Sequence, residues 1–175
     1  MKIFITGKPG SGKTTIIEKI VEKLENKITG FYTKELRENG KRVGFEIITL
    51  KSKKREILAH VNTNSKFKVG KYKVNITGFE KLIEKEFSNF TIENTGLIII
   101  DEVGKMELFS RKFTQYLKEV LLSNKDVIGV VHQNTKTINW LKKIAGDELK
   151  IIEVTINNRN ELPDKIIEII REKNE

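Results

Sequence analysis

The sequence predicts an α/β three-layer sandwich on a mainly parallel sheet, and three observations predict it. Short apolar runs alternate with amphipathic stretches of helical period along most of the chain. A glycine-rich segment, 7–12, lies between the first apolar run and the first helical stretch. One stretch, 28–76, breaks the alternation and reads as antiparallel β-structure. At 175 residues the chain suffices for one domain and is short for two. We therefore read 1–175 as one domain elaborated by a β-rich insert.

The strand-like run Lys2-Ile3-Phe4-Ile5-Thr6 feeds the glycine-rich loop. From about 13 to 26, Ile16, Ile17, Ile20, Val21 and Leu24 recur at helical spacing. In the insert, 28–33, 43–50 and 55–61 are β-rich, and Asn39-Gly40 between the first two is a hairpin turn signal. A short helix near 78–87 returns the chain to the core. Leu97-Ile98-Ile99-Ile100 is continuously apolar, as befits a strand buried on both faces. A helix near 110–123 places Phe113, Tyr116, Leu117, Val120 and Leu121 on one face. Then come a buried strand at 127–131, a helix at 136–144 and a strand at 151–156. The final helix, near 161–173, carries Pro163 in its first turn, where the missing N–H costs nothing.

Composition removes several classes of function. With no cysteine, disulfides and thiolate metal sites are excluded, and two histidines make a structural zinc site unexpected. No apolar run approaches the roughly 20 residues that span a bilayer, so no membrane partner is expected. The N-terminus opens on a strand without a signal-peptide layout, and a cytoplasmic location is the expectation. Abundant Lys, Glu and Ile with little Gln lean towards a thermophile. The formal net charge of +9 fits either an anionic partner, nucleotide or nucleic acid, or a lysine-rich solvated surface. Dispersal of the basic residues among glutamates favours the second. The densest basic run, Lys51-Ser52-Lys53-Lys54-Arg55, is expected at a hairpin turn.

Gly7-Lys8-Pro9-Gly10-Ser11-Gly12-Lys13-Thr14 satisfies G-x-x-x-x-G-K-[ST]. A chance match in a chain of this size arises less than about 1% of the time, and here the motif also sits between a strand and a helix. The glycines let backbone N–H groups converge on phosphate oxygens, and the following helix points its positive end at them. Lys13 reaches the β- and γ-phosphates, and the Thr14 hydroxyl ligates Mg²⁺. Lys8 is either a second lysine of the kind some dimeric P-loop ATPases pass to a partner or a solvated loop lysine; the second is favoured.

The apolar strand at 97–100 ends in Asp101-Glu102. In P-loop enzymes an acid at this strand end holds Mg²⁺, which assigns Asp101 as metal-side acid with Thr14. Glu102 is the candidate that polarises the attacking water. By analogy, a Glu beside the metal-side Asp marks the P-loop branch with an extra strand between loop strand and metal-side strand. That implies the all-parallel order 5-1-4-3-2 in core-strand numbering. Lys105 is a candidate cation near the γ-phosphate. Arg37 and Arg42 flank the Asn39-Gly40 turn, either as an arginine finger or as a charged hairpin tip. His132 either senses the γ-phosphate or is a satisfied structural histidine, the second favoured; His60 is read as structural, Trp140 as core, and Glu35 and Glu46 as solvated. Asn158 and Arg159 follow the last strand, where they either contact the base or form a helix N-terminal turn.

With these residues in hand, the chain resembles the small P-loop nucleoside-triphosphatases of thermophilic archaea and bacteria, related to the human cancer-related nucleoside-triphosphatase. The resemblance runs through Gly7 to Thr15, Gly30-Phe31-Tyr32-Thr33-Lys34-Glu35 and Arg42-Val43-Gly44-Phe45. It continues in Asp101-Glu102-Val103-Gly104-Lys105-Met106-Glu107-Leu108 and Val154-Thr155-Ile156-Asn157-Asn158-Arg159-Asn160. It implies slow hydrolysis of ATP, GTP, CTP and UTP to diphosphate and phosphate, without base selectivity. It also implies that Asp101, Glu102, Val103, Gly104, Lys105, Met106, Glu107 and Leu108 line the nucleotide site together with Gly7 to Thr15. The sequence departs from the family pattern at Lys8 and at Val131-His132-Gln133. A monomer or weak oligomer is expected.

Two other readings share the core. A nucleoside or small-molecule kinase needs an acceptor pocket and often an arginine-rich lid, but 109–126 holds only Arg111. An RNA-associated module needs a basic stretch interleaved with aromatics, and none is evident.

Overall fold

A computed structural model describes residues 1–24, 28–87 and 96–174. In chain order its elements are β1 (Lys2–Thr6), α1 (Lys13–Lys23), β2 (Ile28–Glu38), β3 (Lys41–Thr49) and β4 (Arg55–His60). β5 (Lys68–Val69), β6 (Tyr72–Val74), α2 (Ile76–Phe87), β7 (Leu97–Val103) and α3 (Arg111–Leu122) follow. The chain ends with β8 (Asp126–Val131), α4 (Thr135–Ala145), β9 (Leu149–Glu153) and α5 (Leu162–Asn174).

The nine strands of the described residues form one mixed sheet in the order β5-β6-β4-β3-β2-β7-β8-β1-β9. β2, β7, β8, β1 and β9 pair in parallel, and β8 lies between β1 and β7. β2 joins the two regimes. Ile28 to Phe31 face Leu97 to Ile100 in parallel, while Phe31 to Glu38 pair antiparallel with β3.

Strand alternation divides the interior. Ile3 and Ile5 face α1 and α5, meeting Ile16, Ile17, Ile20, Ile166 and Ile167. Phe4, Phe31, Ile98 and Ile100 face α2, α3 and α4. There Phe31 packs edge-on against Phe79 and Phe113, with centroids 5.8 and 5.7 Å apart. α3 starts where Ser110 accepts a hydrogen bond from the Phe113 N–H, and α4 where Asn134 caps Lys136 and Thr137. Among the described residues, no helix is long and apolar enough to cross a membrane.

Several boundaries differ from the sequence expectation, among them β7, which runs three residues past the expected 97–100 to take in Asp101 and Glu102. The strand expected at 151–156 is Leu149–Glu153. The Val154 N–H still reaches the Thr6 carbonyl at 2.7 Å, but the chain then turns, leaving Ile156 77% exposed. β2 runs five residues past the expected 28–33, because its charged outer half is held by β3 rather than by burial. The small β5–β6 hairpin was not expected, since strands of two and three residues carry no periodicity. The helix expected at 13–26 is described as Lys13–Lys23, and 25–27 lie outside the described residues. The basic run does form the β3–β4 turn, with Lys53 at a φ of 52°.

A buried carboxylate ties the insert to the core. Glu86 on α2 accepts from the Thr29 hydroxyl (3.0 Å) and from the N–H groups of Gly30 (3.1 Å), Lys51 (2.8 Å) and Ser52 (3.0 Å). Replacing it by alanine strands several donors, each costing about 1–3 kcal/mol when buried. Glu86→Ala is therefore expected to lower stability by about 3 kcal/mol or more. Urea unfolding checks this; a loss below about 1 kcal/mol would show that water replaces the carboxylate without penalty.

Candidate active site

The site begins where β1 stops. Beyond Thr6 the chain winds through the glycine-rich loop and enters α1 at Lys13, with Gly12 at a φ of 98°, a conformation side chains disfavour. Among the described residues no side chain caps α1 and no acid occupies its first turn, so its positive end stays open to an anion. The Lys13 ammonium folds back onto the loop, donating to the carbonyls of Gly7 (2.9 Å) and Lys8 (3.0 Å). The Ser11 hydroxyl is buried without a hydrogen-bond partner among the described residues.

Facing the loop, β7 delivers two carboxylates and the turn after it a third. Asp101 is 1% exposed. It takes a hydrogen bond from Thr14, while its Oδ2 is buried without a partner among the described residues. Burial, and next the charge of Glu102, push its carboxyl up to about 8; the Thr14 hydrogen bond and the Lys13 charge oppose them. Glu102 is half-buried and raised by burial, against the charges of His132 and Lys13. Glu107, in a short 3-10 helix at Glu107–Phe109, is 3% exposed. Burial and then Glu102 hold it well above the usual carboxylate range, although the N–H groups of Gly104 and of Glu107 itself donate to it.

Three crowded acids beside one lysine need further positive charge. Thr14 and the orphaned Asp101 Oδ2 offer hard oxygen donors, which suit Mg²⁺. No cluster of three or more His, Cys, Asp or Glu forms a metal cage among the described residues. Such a sparse donor set fits an ion that takes its other ligands from water and phosphate.

These groups share a cleft of about 960 Å³. Gly7, Pro9, Gly10, Gly12, Lys13, Thr14, Thr15, Asp101, Glu102, Lys105, Met106 and Glu107 all line it. Other expected residues do not. Val103 is fully buried in the core facing α2–α4, because a register irregularity between Ile100 and Val103 turns it to the face of Ile98 and Ile100, and Leu108 packs against the same core. Lys8, Ser11 and Gly104 are not among the lining residues either: Lys8 is exposed, Ser11 half-buried and Gly104 buried. The Asn158 amide closes its own loop, accepting from the Thr155 N–H (2.9 Å) and donating to the Glu153 carbonyl (2.8 Å). It is therefore committed to the turn rather than free for a base. Arg159 runs beside Gly12, its Cδ 3.9 Å from where a Cβ there would stand.

Other expectations change as well. His132 is exposed and lines the cleft beside Glu102, so it is not a buried structural histidine. His60 is structural: its Nδ1 accepts from the Asn62 N–H at 3.1 Å. Trp140 is half-buried against the core. Glu35 is bound by both Arg37 and Arg42, and Glu46 keeps only 20% of its side chain exposed against Arg55, so neither is simply solvated. Arg37 stays at the hairpin tip, donating to the Gly40 carbonyl at 2.9 Å, while Arg42 reaches the cleft.

Sequence reasoning missed that the insert builds a wall of this cleft. Thr33, Lys34, Phe45, Val69 and Tyr72 line it, and Lys34 pairs with Glu18 of α1 at 2.9 Å. Only the Gly30–Glu35 and Arg42–Phe45 segments of the resemblance pointed there.

Gly104 carries a steric demand. A Cβ on it would stand 2.6 Å from Glu102 Oε1 and 2.9 Å from Glu107 Oε2. Gly104→Ala is thus expected to push the Glu102 carboxylate aside and lower turnover about 10–100-fold, since a displacement near 1 Å costs that order. Nucleotide affinity should hold. Parallel kcat and affinity measurements check this; an unchanged kcat would mean that the position of Glu102 is immaterial.

A family model described as NTPase matches residues 2–167. The nucleoside-triphosphatase THEP1 of Methanocaldococcus jannaschii is 44% identical over 170 residues, covering 95% of each chain. The THEP1 of Thermotoga sp. strain RQ2 is 41% identical over 172 residues, covering 98% of this chain and 96% of that one. The crystal structure of THEP1 from Aquifex aeolicus superposes with a TM-score of 0.84 at 36% identity, covering 97% of this chain and 99% of that one. The solution structure of a human cancer-related nucleoside triphosphatase gives 0.81 at 33% identity, covering 98% and 97%.

Proposed function

This chain belongs to the NTPase family, and on that premise we propose that it hydrolyses nucleoside 5′-triphosphates to diphosphate and phosphate with Mg²⁺. The observation that carries the reading is the buried Asp101 Oδ2, without a partner among the described residues, beside Thr14 at the open end of the phosphate loop.

The loop amides and the N-terminus of α1 bind the phosphate chain. Lys13 leaves the Gly7 and Lys8 carbonyls and extends to the β- and γ-phosphates. Thr14 and Asp101 would hold Mg²⁺, which supplies positive charge against the phosphate oxygens. Glu102 orients a water and accepts its proton; its raised pKa brings it closer to that of a useful base. Glu107 holds the Gly104 backbone and so the position of Glu102. Lys105, exposed on the rim, adds a cation on the γ side. Low base selectivity follows if the Asn158 amide remains in its loop.

The test is phosphate release from ATP, GTP, CTP and UTP, with Mg²⁺ or with EDTA. Comparable kcat/KM across the four, lost in EDTA, is the expected result. Release confined to one base, or indifferent to EDTA, would overturn the reading.

A further inference from the structure

Hydrolysis leaves the far wall of the cleft without a task. On that wall Phe45 and Tyr72 meet edge to face at 5.2 Å. The Arg42 guanidinium lies over both rings, 5.1 and 5.5 Å from their centroids. Its Nε donates to the Tyr72 hydroxyl at 2.9 Å and its Nη1 to Glu35 at 2.7 Å, while Nη2 makes no hydrogen bond among the described residues. A guanidinium so held loses little further freedom on binding, and its flat cationic plane is a surface on which a nucleobase stacks.

The sheet order says which end of the triphosphate this wall faces. In a phosphate loop the lysine and the hydroxyl residue after it mark the β,γ end. Asp101, beside Thr14, is on β7, and the insert hangs on β2, one strand further from β1. Arg159 follows β9, on the opposite side of β1. The wall therefore lies beyond the γ-phosphate and away from the leaving nucleotide. Glu35, which fixes Arg42, stands four residues past Phe31, the partner of Ile100. At the usual strand rise that is about 13 Å along β2. The cleft's 960 Å³ sits at the top of the roughly 300–1,000 Å³ range of ligand sites, which leaves room for a second ligand.

We propose that this wall is a phosphoryl-acceptor subsite for a nucleoside, with its base on Arg42 and a sugar hydroxyl turned towards Glu102, and that the protein transfers the γ-phosphoryl group to it as well as to water. The proposal rests on the phosphate-loop reading above. In the step, the acceptor oxygen bonds to the γ-phosphorus as the bond from that phosphorus to the β,γ-bridging oxygen breaks. The hydroxyl proton passes to the Glu102 carboxylate, and a nucleoside monophosphate and a nucleoside diphosphate leave. The absence of an arginine-rich lid at 109–126 does not weigh against this, because the arginine platform belongs to the insert.

The experiment incubates the full chain with Mg²⁺, ATP labelled in the γ-phosphate and each common nucleoside in turn, and resolves labelled phosphate from labelled monophosphate. Labelled monophosphate is expected with at least one nucleoside. Arg42→Ala should lower the ratio of transfer to hydrolysis about tenfold or more, as loss of a stacking partner does. Arg42→Lys, which keeps charge but loses the plane, should show most of that fall while retaining the wild-type melting temperature. Phosphate release without labelled monophosphate from any nucleoside overturns the proposal and leaves the hydrolase reading intact. A raised KM for ATP with an unchanged ratio in Arg42→Ala also overturns it, because the wall then holds the donor. No release at all, to water or acceptor, sinks both.

Discussion

Lys13→Ala is expected to abolish tight binding of nucleoside triphosphates. The ammonium folds back onto the phosphate loop, and its carbonyl partners Gly7 and Lys8 keep it beside the path the phosphates take. Truncating one partner of a desolvated charge pair costs about 2–5 kcal/mol, or about 30-fold to several-thousand-fold in affinity. The alanine also frees two loop carbonyls, so a fall in affinity could reflect a rearranged loop. Thermal unfolding without nucleotide separates these effects: the loop is exposed around Lys8 and Pro9, and its loss of two hydrogen bonds should move stability little. Calorimetric titration with each triphosphate in Mg²⁺ is the measurement. Binding within a factor of two of wild type would refute the phosphate-loop reading.

Much of this architecture is legible because burial and local chemistry agree. Ile98, Ile99 and Ile100 are fully buried and read as an apolar run, and the Gly7 to Thr14 spacing needs no tertiary information. What escaped reading depends on contacts between distant segments. Glu86 is an unremarkable acid in a helix until α2 brings it under Gly30 and the Lys51–Ser52 turn. Arg42 and Tyr72 are thirty positions apart and meet only because the β5–β6 hairpin folds against β4. Ile156 misled in the other direction: its apolar side chain extended the last strand on paper, whereas the Asn158 amide closes a turn there. Val103 shows the limit of reading a motif as a continuous lining, because an irregularity in β7 after Ile100 turns it into the core beside Ile98 and Ile100.

Glu102→Gln is expected to keep nucleotide affinity and lose most hydrolysis. Two other carboxylates crowd the site, and their surroundings separate the roles. Asp101 is buried against Thr14 on the metal side, so its loss should weaken both Mg²⁺-nucleotide binding and turnover. Glu107 is buried and engaged by the Gly104 N–H and its own backbone, which leaves it poorly placed to take a proton. Glu102 alone is partly open to the cleft, beside His132 and Lys13, with its carboxyl raised by burial. A glutamine keeps its shape and can still hydrogen-bond water but cannot accept the proton, so the loss falls in the transition state. General-base contributions are typically about 10²–10⁴-fold, and the expected pattern is a fall in kcat of that order with KM little changed. Single-turnover phosphate release at saturating ATP, with equilibrium binding on the same preparation, separates chemistry from affinity. Near wild-type turnover in Glu102→Gln would move the role to another group, and the double replacement with Glu107→Gln would then decide whether Glu107 takes it. A weakened affinity of the same size as the rate loss would instead place Glu102 among the groups that hold the metal-nucleotide complex.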